Sequence, residues 1–468
     1  MKSLRFALFF FAAMLLTACG RQPAPGSNSN ASPTAGSTAG QSQLPVPFRI
    51  SLQQAANQPA PALQSFPFAQ SGGKWLLMGG RTQGFHGTSG PGRTFPSTGS
   101  NGNIYLVDVA NNTTSSSSLP AKYVKLLRST NMEDYQDGNV LYLAGGYGST
   151  CNDDKPSCYQ TFPNLTAIKV PDLIQAILNG KPGDIEKCIV SITDERFRVA
   201  GGELRKIGDY FYLIFGQNYS TIYKNALTGK YTEQISRFKI NFDGQNLSVS
   251  DYTVFTDPSG TTGPKSEYHR RDLNVVEAIR PDGTFGLTVY GGVFTGDGTA
   301  YRYPIYIDQT GGQTKITVDT SFEEKMSQYE CAAVLVYDPA SKNMYTTLLG
   351  GISLFDYVGN QVEENKLMPF IKAITTLRRG ADGNTLEVPQ APADSLPEFI
   401  GAEGVFIADA GVAKISGTAD IIDYSKLPSG KTRIGYLYGG IRATAPQSNE
   451  ANPTFASNTV YEVYIEKL

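Results

Sequence analysis

Eight ionisable side chains stand where apolar, strand-like runs of this chain begin: Arg128, Arg198, His269, Arg270, Arg271, Asp272, Glu330 and Glu403. Gathered in one place, arginines grip an acidic or polyhydroxyl ligand through forked hydrogen bonds, and carboxylates accept from hydroxyls or move protons. The same groups can equally pair with one another and stiffen a fold, because structural ion networks perturb charges as active sites do. Arg128, Arg198, Arg270, Arg271, Asp272, Glu330 and Glu403 form the candidate ligand-binding set. They are spread over more than half of the chain, so only tertiary structure can assemble them.

Other chemistry is sparse. Cys151 and Cys158 bracket one polar loop, Cys-Asn-Asp-Asp-Lys-Pro-Ser-Cys, whose length suits a local disulfide; the alternative, a zinc site, lacks a neighbouring histidine. Cys188 and Cys331 lie in strand-like surroundings and read as small, unpaired core residues. His86, in Gly-Phe-His-Gly, reads as a loop residue, and no nucleophile elbow, phosphate loop or His-Glu-x-x-His helix is present. No metal or cofactor is expected. A formal charge of −2 argues against nucleic acid as a partner.

The elements that must position these residues repeat. Trp75-Leu-Leu-Met-Gly-Gly80, Leu141-Tyr-Leu-Ala-Gly-Gly146, Tyr210-Phe-Tyr-Leu-Ile-Phe-Gly216, Leu287-Thr-Val-Tyr-Gly-Gly292, Tyr345-Thr-Thr-Leu-Leu-Gly-Gly351 and Ile434-Gly-Tyr-Leu-Tyr-Gly-Gly440 are apolar strands running into glycine. Glycine there lets the backbone turn where a Cβ would clash or φ must be positive. The intervals of 66, 70, 76, 59 and 89 residues between the last glycines suit one four-stranded sheet per unit with variable loops. A first strand precedes each glycine strand, as in Phe197–Leu204 and Leu273–Ile279, often through a turn such as Gln136-Asp137-Gly138-Asn139. An alternating third strand follows, as in Asn103–Asp108, Leu165–Val170, Ser236–Asn241, Pro304–Asp308, Phe370–Ile374 and Val460–Ile465. Leu247–Val254 and Lys315–Asp319 read as fourth strands, and Pro171–Leu178 as a short surface helix. The sixth unit ends at Leu468 without a fourth strand, while residues 47–52 form an orphan strand ahead of the first. Placing the orphan on the last unit completes the count and closes a ring. Separate β-sandwich domains are the structural alternative.

Lys2 and Arg5, the apolar run Phe6–Leu16 and Leu16-Thr17-Ala18-Cys19 form an export signal, with residues 1–18 as its span. It resembles the bacterial lipoprotein lipobox, which implies a lipidated Cys19 and a membrane anchor of two or more acyl chains. Gly20 in place of Asp lacks that family's inner-membrane retention signal, so the expected location is the cell envelope, at the outer membrane. Residues 19–45 comprise this cysteine and a flexible Pro-, Ser-, Thr- and Ala-rich linker, and 46–468 the folded domain.

The repeated pattern of apolar strand, Gly-Gly, loop and aromatic-bearing strand resembles the Kelch-type β-propeller, also seen in galactose oxidase-like proteins. The expected fold is therefore all-β, a six-bladed Kelch-like propeller closed by its N-terminal strand. Two departures stand out: Trp75 is the only tryptophan, and the third unit has Phe215-Gly216 in place of Gly-Gly. With only His86 and His269, a copper oxidase of the galactose oxidase type is not implied. In such a fold the long loops and the inner-strand starts share the face around the central channel. The primary expectation is a non-catalytic module binding a protein or glycan there. The alternative is a carbohydrate-active enzyme, a sugar epimerase, lyase or hydrolase, using Glu330 or Glu403 with Arg198 or Arg271.

Overall fold

The computed structural model describes residues 44–56, 58–87, 94–151, 154–223, 229–358, 361–449 and 451–468. Residues 44–468 form one compact unit. The expected signal peptide, Cys19 and nearly all of the expected linker lie outside the described residues.

Six antiparallel sheets make six blades. From the inner strand outward, blade one is Phe68–Ser71, Lys74–Leu77, Asn103–Asp108 and Thr113–Ser118, and blade two is Glu133–Asp137, Val140–Ala144, Pro163–Lys169 and Ile189–Arg198. Blade three is Glu203–Ile207, Tyr210–Ile214, Gln234–Phe242 and Leu247–Thr256; blade four is Asn274–Ile279, Phe285–Tyr290, Ile305–Thr310 and Gln313–Val318. Blade five is Ala333–Asp338, Asn343–Leu349, Ile374–Arg379 and Thr385–Pro389, with the short Ile422–Asp423 added in parallel at its inner edge. Blade six is Val405–Ala408, Lys431–Tyr438, Val460–Lys467 and the N-terminal Phe48–Gln54.

What makes these sheets a ring is the placement of their apolar side chains. Each adjacent pair of blades encloses one cluster: Leu76, Leu106 and Leu141 between one and two, Leu165, Leu204 and Phe211 between two and three, Tyr212, Val275 and Leu287 between three and four. Val276, Tyr290 and Leu335 lie between four and five, Val334, Ile50 and Val463 between five and six, and Trp75, Leu77 and Tyr438 between six and one. Strands buried on both faces read as apolar runs rather than strict alternations, hence the sequence pattern of the second strands.

The glycines mark where blades touch. Both residues of each pair are left-handed, from Gly79 at φ 60° to Gly440 at 78°, and Phe215 takes the same conformation at 57°. A Cβ on Gly145 would stand 2.0 Å from the Val199 carbonyl oxygen, and one on Gly350 2.2 Å from that of Ile400. In five of the six units the last glycine donates its N–H to the next blade, as in Gly146 to Val199 O (2.8 Å) and Gly440 to Leu63 O (2.9 Å). Blade three accommodates Phe215 because its ring is buried against Tyr268 in the core between blades three and four, with centroids 5.0 Å apart.

The expectation of a ring closed by the N-terminal strand is corrected. Phe48–Gln54 pairs with Val460–Lys467, from Phe48↔Lys467 to Gln54↔Tyr461, but as the outer edge of an open sheet. Among the described residues no sheet is closed by hydrogen bonds, so the strand completes a blade without sealing the ring. Blades face one another across side chains, too far apart for a shared ladder. Blades one and six therefore meet through packing such as Trp75 on Tyr436, at 5.4 Å, as well as the Gly440–Leu63 bond.

Three local readings are also corrected. Phe197–Leu204 is not one strand: the outer strand of blade two ends at Arg198, and the inner strand of blade three begins at Glu203, after a crossing through left-handed Gly201. The third strand of blade five is Ile374–Arg379, because Phe370 bridges Ile352 in the loop instead. The helix Val170–Leu178 is more than a surface insertion, since Leu173, Ile174 and Ile177 join the core between blades one and two.

Candidate functional site

One residue per blade reaches the axis just before the inner strand: Ser65, Asn131, Gly201, Asp272, Glu330 and Glu403. All six are left-handed, with φ between 44° and 69°. Their backbones connect in sequence. Asn131 N–H donates to Ser65 O (3.4 Å), Gly201 to Asn131 (3.3 Å), Asp272 to Gly201 (2.8 Å) and Glu403 to Glu330 (2.8 Å). Glycine adopts this conformation freely and Asn and Asp tolerate it, whereas glutamate does so at a cost that the surrounding structure must offset. Two such glutamates side by side therefore draw notice.

The three carboxyls converge. Asn131 Nδ2 donates to Glu330 Oε1 at 3.2 Å and to Glu403 Oε1 at 3.3 Å. Glu330 and Glu403 are hydrogen-bonded to each other; burial, then the charges of Glu403 and Asp272, hold the Glu330 carboxyl well above the usual range. Burial raises Glu403 to about 7, opposed by its bonds to Glu330, Ser65 and Asn131. Two like acids in contact cannot both ionise, so the pair retains a proton between its two carboxyls. Burial also raises Asp272, opposed by Arg271, whose Nη1 lies 2.7 Å from Asp272 Oδ2.

On the long-loop side, this floor opens into a vestibule of about 210 Å³. Phe85, His86 and Phe95 come from the loop after the second strand of blade one, Tyr219 and Tyr223 from that of blade three, and Phe294 from that of blade four; Tyr329 precedes the inner strand of blade five. The His86 ring lies 4.6 Å from Phe85 and 4.9 Å from both Phe95 and Tyr223. Burial, reinforced by the charges of Arg271 and Arg81, lowers its pKa to about 4, so it is neutral at physiological pH. Arg81, 2% exposed, holds the Phe95 loop by donating from Nη2 to Pro96 O at 2.7 Å.

Below the floor lies a second chamber of about 400 Å³, lined by Asp134, Glu203, Arg205, Glu277, Lys414 and Asp420. Ser65, Asn131, Gly201, Glu330 and Glu403 line both spaces and so form the partition between them. Burial raises Asp134 and Glu277 to about 7; Glu277 accepts from the backbone N–H groups of Ala419 and Asp420, each at 2.9 Å.

Of the seven sequence candidates, Arg271, Asp272, Glu330 and Glu403 meet at the axis, and the other three do not line either space. Arg128 donates to Cys151 O at 2.9 Å. Arg198, at the end of an outer strand, pairs with Glu195 at 2.7 Å and donates to Thr161 O. Arg270 is fully buried and bonds to the carbonyls of Glu267, Gly291 and Tyr303, tying loops of blade four. His269 sits behind the vestibule wall, bound to Glu233 at 2.6 Å and stacked on Tyr231 at 3.8 Å. Cys151 and Cys158 form a disulfide, whereas Cys188 and Cys331 are free thiols. Among the described residues no group of three or more His, Cys, Asp and Glu is placed to hold a metal ion. Sequence reasoning missed Ser65, Asn131 and the aromatic wall. The available signal was periodic in the first three units: Ser65, Asn131 and Gly201 each stand 15 residues before the last glycine of their unit.

Fold and site together define a six-bladed β-propeller with a two-chambered axial channel. No family model matches the chain, and no curated protein does. Among solved structures, one described as "Structure of YjhT" is similar at a TM-score of 0.46 and 12% identity, covering 86% of this chain and 100% of that one. The six-bladed architecture follows from the strand pairing of this chain.

Proposed function

We propose that the propeller is directed at a carbohydrate, with the vestibule receiving a small polyhydroxyl ligand and the Glu330–Glu403 pair exchanging protons with it. One observation carries this reading: aromatic walls stand directly over a hydrogen-bonded carboxyl pair. Aromatic rings cover the C–H faces of a sugar, and a carboxyl beside a carboxylate offers a donor and an acceptor to its hydroxyls. Partner binding through the long loops, the primary expectation from sequence, has less support than this alternative. Within the carbohydrate reading, hydrolysis is disfavoured, because glycosidase carboxyls stand about 5 Å or more apart to flank the scissile bond. Two carboxyls in contact instead suit proton transfer at a single ligand centre, the chemistry of an epimerase or lyase. Display of this domain at the cell envelope through Cys19 is part of the same proposal; it rests on the N-terminal sequence and is tested by Cys19→Ser with lipid mass analysis.

The test of the site is a saccharide binding screen on wild-type protein, Phe85→Ala and Glu403→Gln. Phe85 is 37% exposed, so its loss spares the core. A bound saccharide whose affinity falls about tenfold in Phe85→Ala, about 1.4 kcal/mol, supports the reading. A saccharide bound equally by all three proteins, or by none, overturns it.

A further inference from the structure

Among the described residues one arginine, Arg271, lines the vestibule wall, and it is already occupied. Arg271 donates from Nε to the Tyr231 hydroxyl and from Nη2 to the Tyr223 hydroxyl, each at 3.2 Å. Its Nη1 meets Asp272 at 2.7 Å, and the Gln217 amide, turned so that its oxygen faces the guanidinium, accepts from Nη1 at 3.1 Å. The Phe294 ring centre lies 5.1 Å from the guanidinium carbon. An acidic ligand would have to displace these partners, and it would then face the carboxyls of Glu330 and Glu403. His86 offers no second positive charge, because its surroundings keep it neutral.

The same geometry favours the opposite charge. Asn131 fixes one oxygen of each glutamate by donating to both. Above them, the rings of Phe85, Tyr223 and Tyr329 belong to the wall of the same space, and aromatic faces attract cations. Carboxyl acceptors under an aromatic wall are the recognition chemistry of an ammonium group, which needs both short hydrogen bonds and weakly polar surroundings. We infer that the vestibule selects saccharides carrying a basic nitrogen, amino sugars, over uronic acids. The inference rests on the carbohydrate reading for the sugar and on the floor residues alone for the charge.

The experiment is calorimetric titration of the full folded domain near pH 7, where Glu403 is partly ionised and an amino-sugar nitrogen still carries its proton, with four probes: glucosamine, glucose, glucuronate and cyclohexylamine. Wild-type protein is compared with Glu403→Gln, which keeps shape and hydrogen bonding, and with Asp272→Asn, melting temperatures being recorded for each. The expected result is glucosamine binding at least about tenfold tighter than glucuronate in the wild type. Glu403→Gln should lower glucosamine affinity by about tenfold more than glucose affinity, bringing that preference close to unity. Asp272→Asn, by releasing Arg271, should raise glucuronate affinity. Glucuronate binding as tightly as glucosamine in the wild type overturns the inference, and so does a preference unchanged in Glu403→Gln. Cyclohexylamine binding that is lost in Glu403→Gln, with no sugar bound, sustains the charge selection and overturns the carbohydrate reading. No binding of any probe overturns both.

Discussion

The backbone N–H of Glu403 donates to the carbonyl oxygen of Glu330 at 2.8 Å, so their carboxyls leave neighbouring blades from points tied to each other. The side chains are held together by main-chain geometry, and repulsion between them is relieved by keeping a proton rather than by moving apart. This pair stands in the partition between the two chambers, and it bears on how the fold should respond to pH.

Burial raises Glu403 to about 7, so the folded protein holds a proton there that the unfolded chain releases near the ordinary glutamate value of about 4.3. The stability linked to this proton is complete below that lower value and is lost as pH rises toward 7; Asp134 and Glu277, also raised to about 7, act in the same direction. Glu403→Gln mimics the protonated state. Its melting temperature should exceed that of the wild type by a few °C above about pH 7 and match it below about pH 4. Thermal unfolding across this range checks the point, and a pH-independent difference would contradict it.

Arg271→Ala should destabilise the protein by about 3–5 kcal/mol, because it leaves Asp272 enclosed without its partner. Adding Asp272→Asn to that variant should recover a large part of the loss. Denaturant melts of the two single variants and the double variant measure the coupling; additive losses would mean that the pair does not interact.

The N-terminal strand contributes through what it buries. Ile50, fully buried between blades five and six, should cost about 2–5 kcal/mol on replacement by alanine. Half-buried Leu52 should cost less. Equal losses at the two positions, measured by chemical denaturation, would show that the strand does not pack as described.

Opening the Cys151–Cys158 bridge should cost about 2–3 kcal/mol from loop entropy alone. It should also loosen the vestibule. Tyr159, next to Cys158, donates its hydroxyl to Phe95 O at 2.7 Å, and Asp154 between the cysteines accepts from Ser97 N at 2.7 Å. Cys151→Ser/Cys158→Ser should therefore speed hydrogen exchange in residues 94–99 as well as within the loop. Exchange confined to the loop would separate the bridge from the vestibule.

The repeat was legible in the chain because its cause is local. A strand buried on both faces must be apolar throughout, and a backbone that turns left-handed against the next blade must be glycine, so Gly80, Gly146 and Gly440 announce their blades in one dimension. The loop disulfide was legible for the same reason, since seven positions separate its cysteines. Arg271, Asp272, Glu330 and Glu403 could be named because they lie two or three residues before inner strands.

What the chain alone did not decide is which of its charges face the axis. Arg270 and Arg271 are adjacent, yet one is fully buried among carbonyls and the other lines the vestibule, because successive residues at a turn leave the backbone in different directions. Arg198 was misplaced because the boundary between an outer and an inner strand depends on where the chain crosses between blades. Asn131 carried no charge to attract notice, and it gains its role only when blade two brings it to Glu330 and Glu403, 199 and 272 positions away. Proton sharing, the neutrality of His86 and the occupied state of Arg271 arise from enclosure by six packed blades, a property of their assembly and of no single segment.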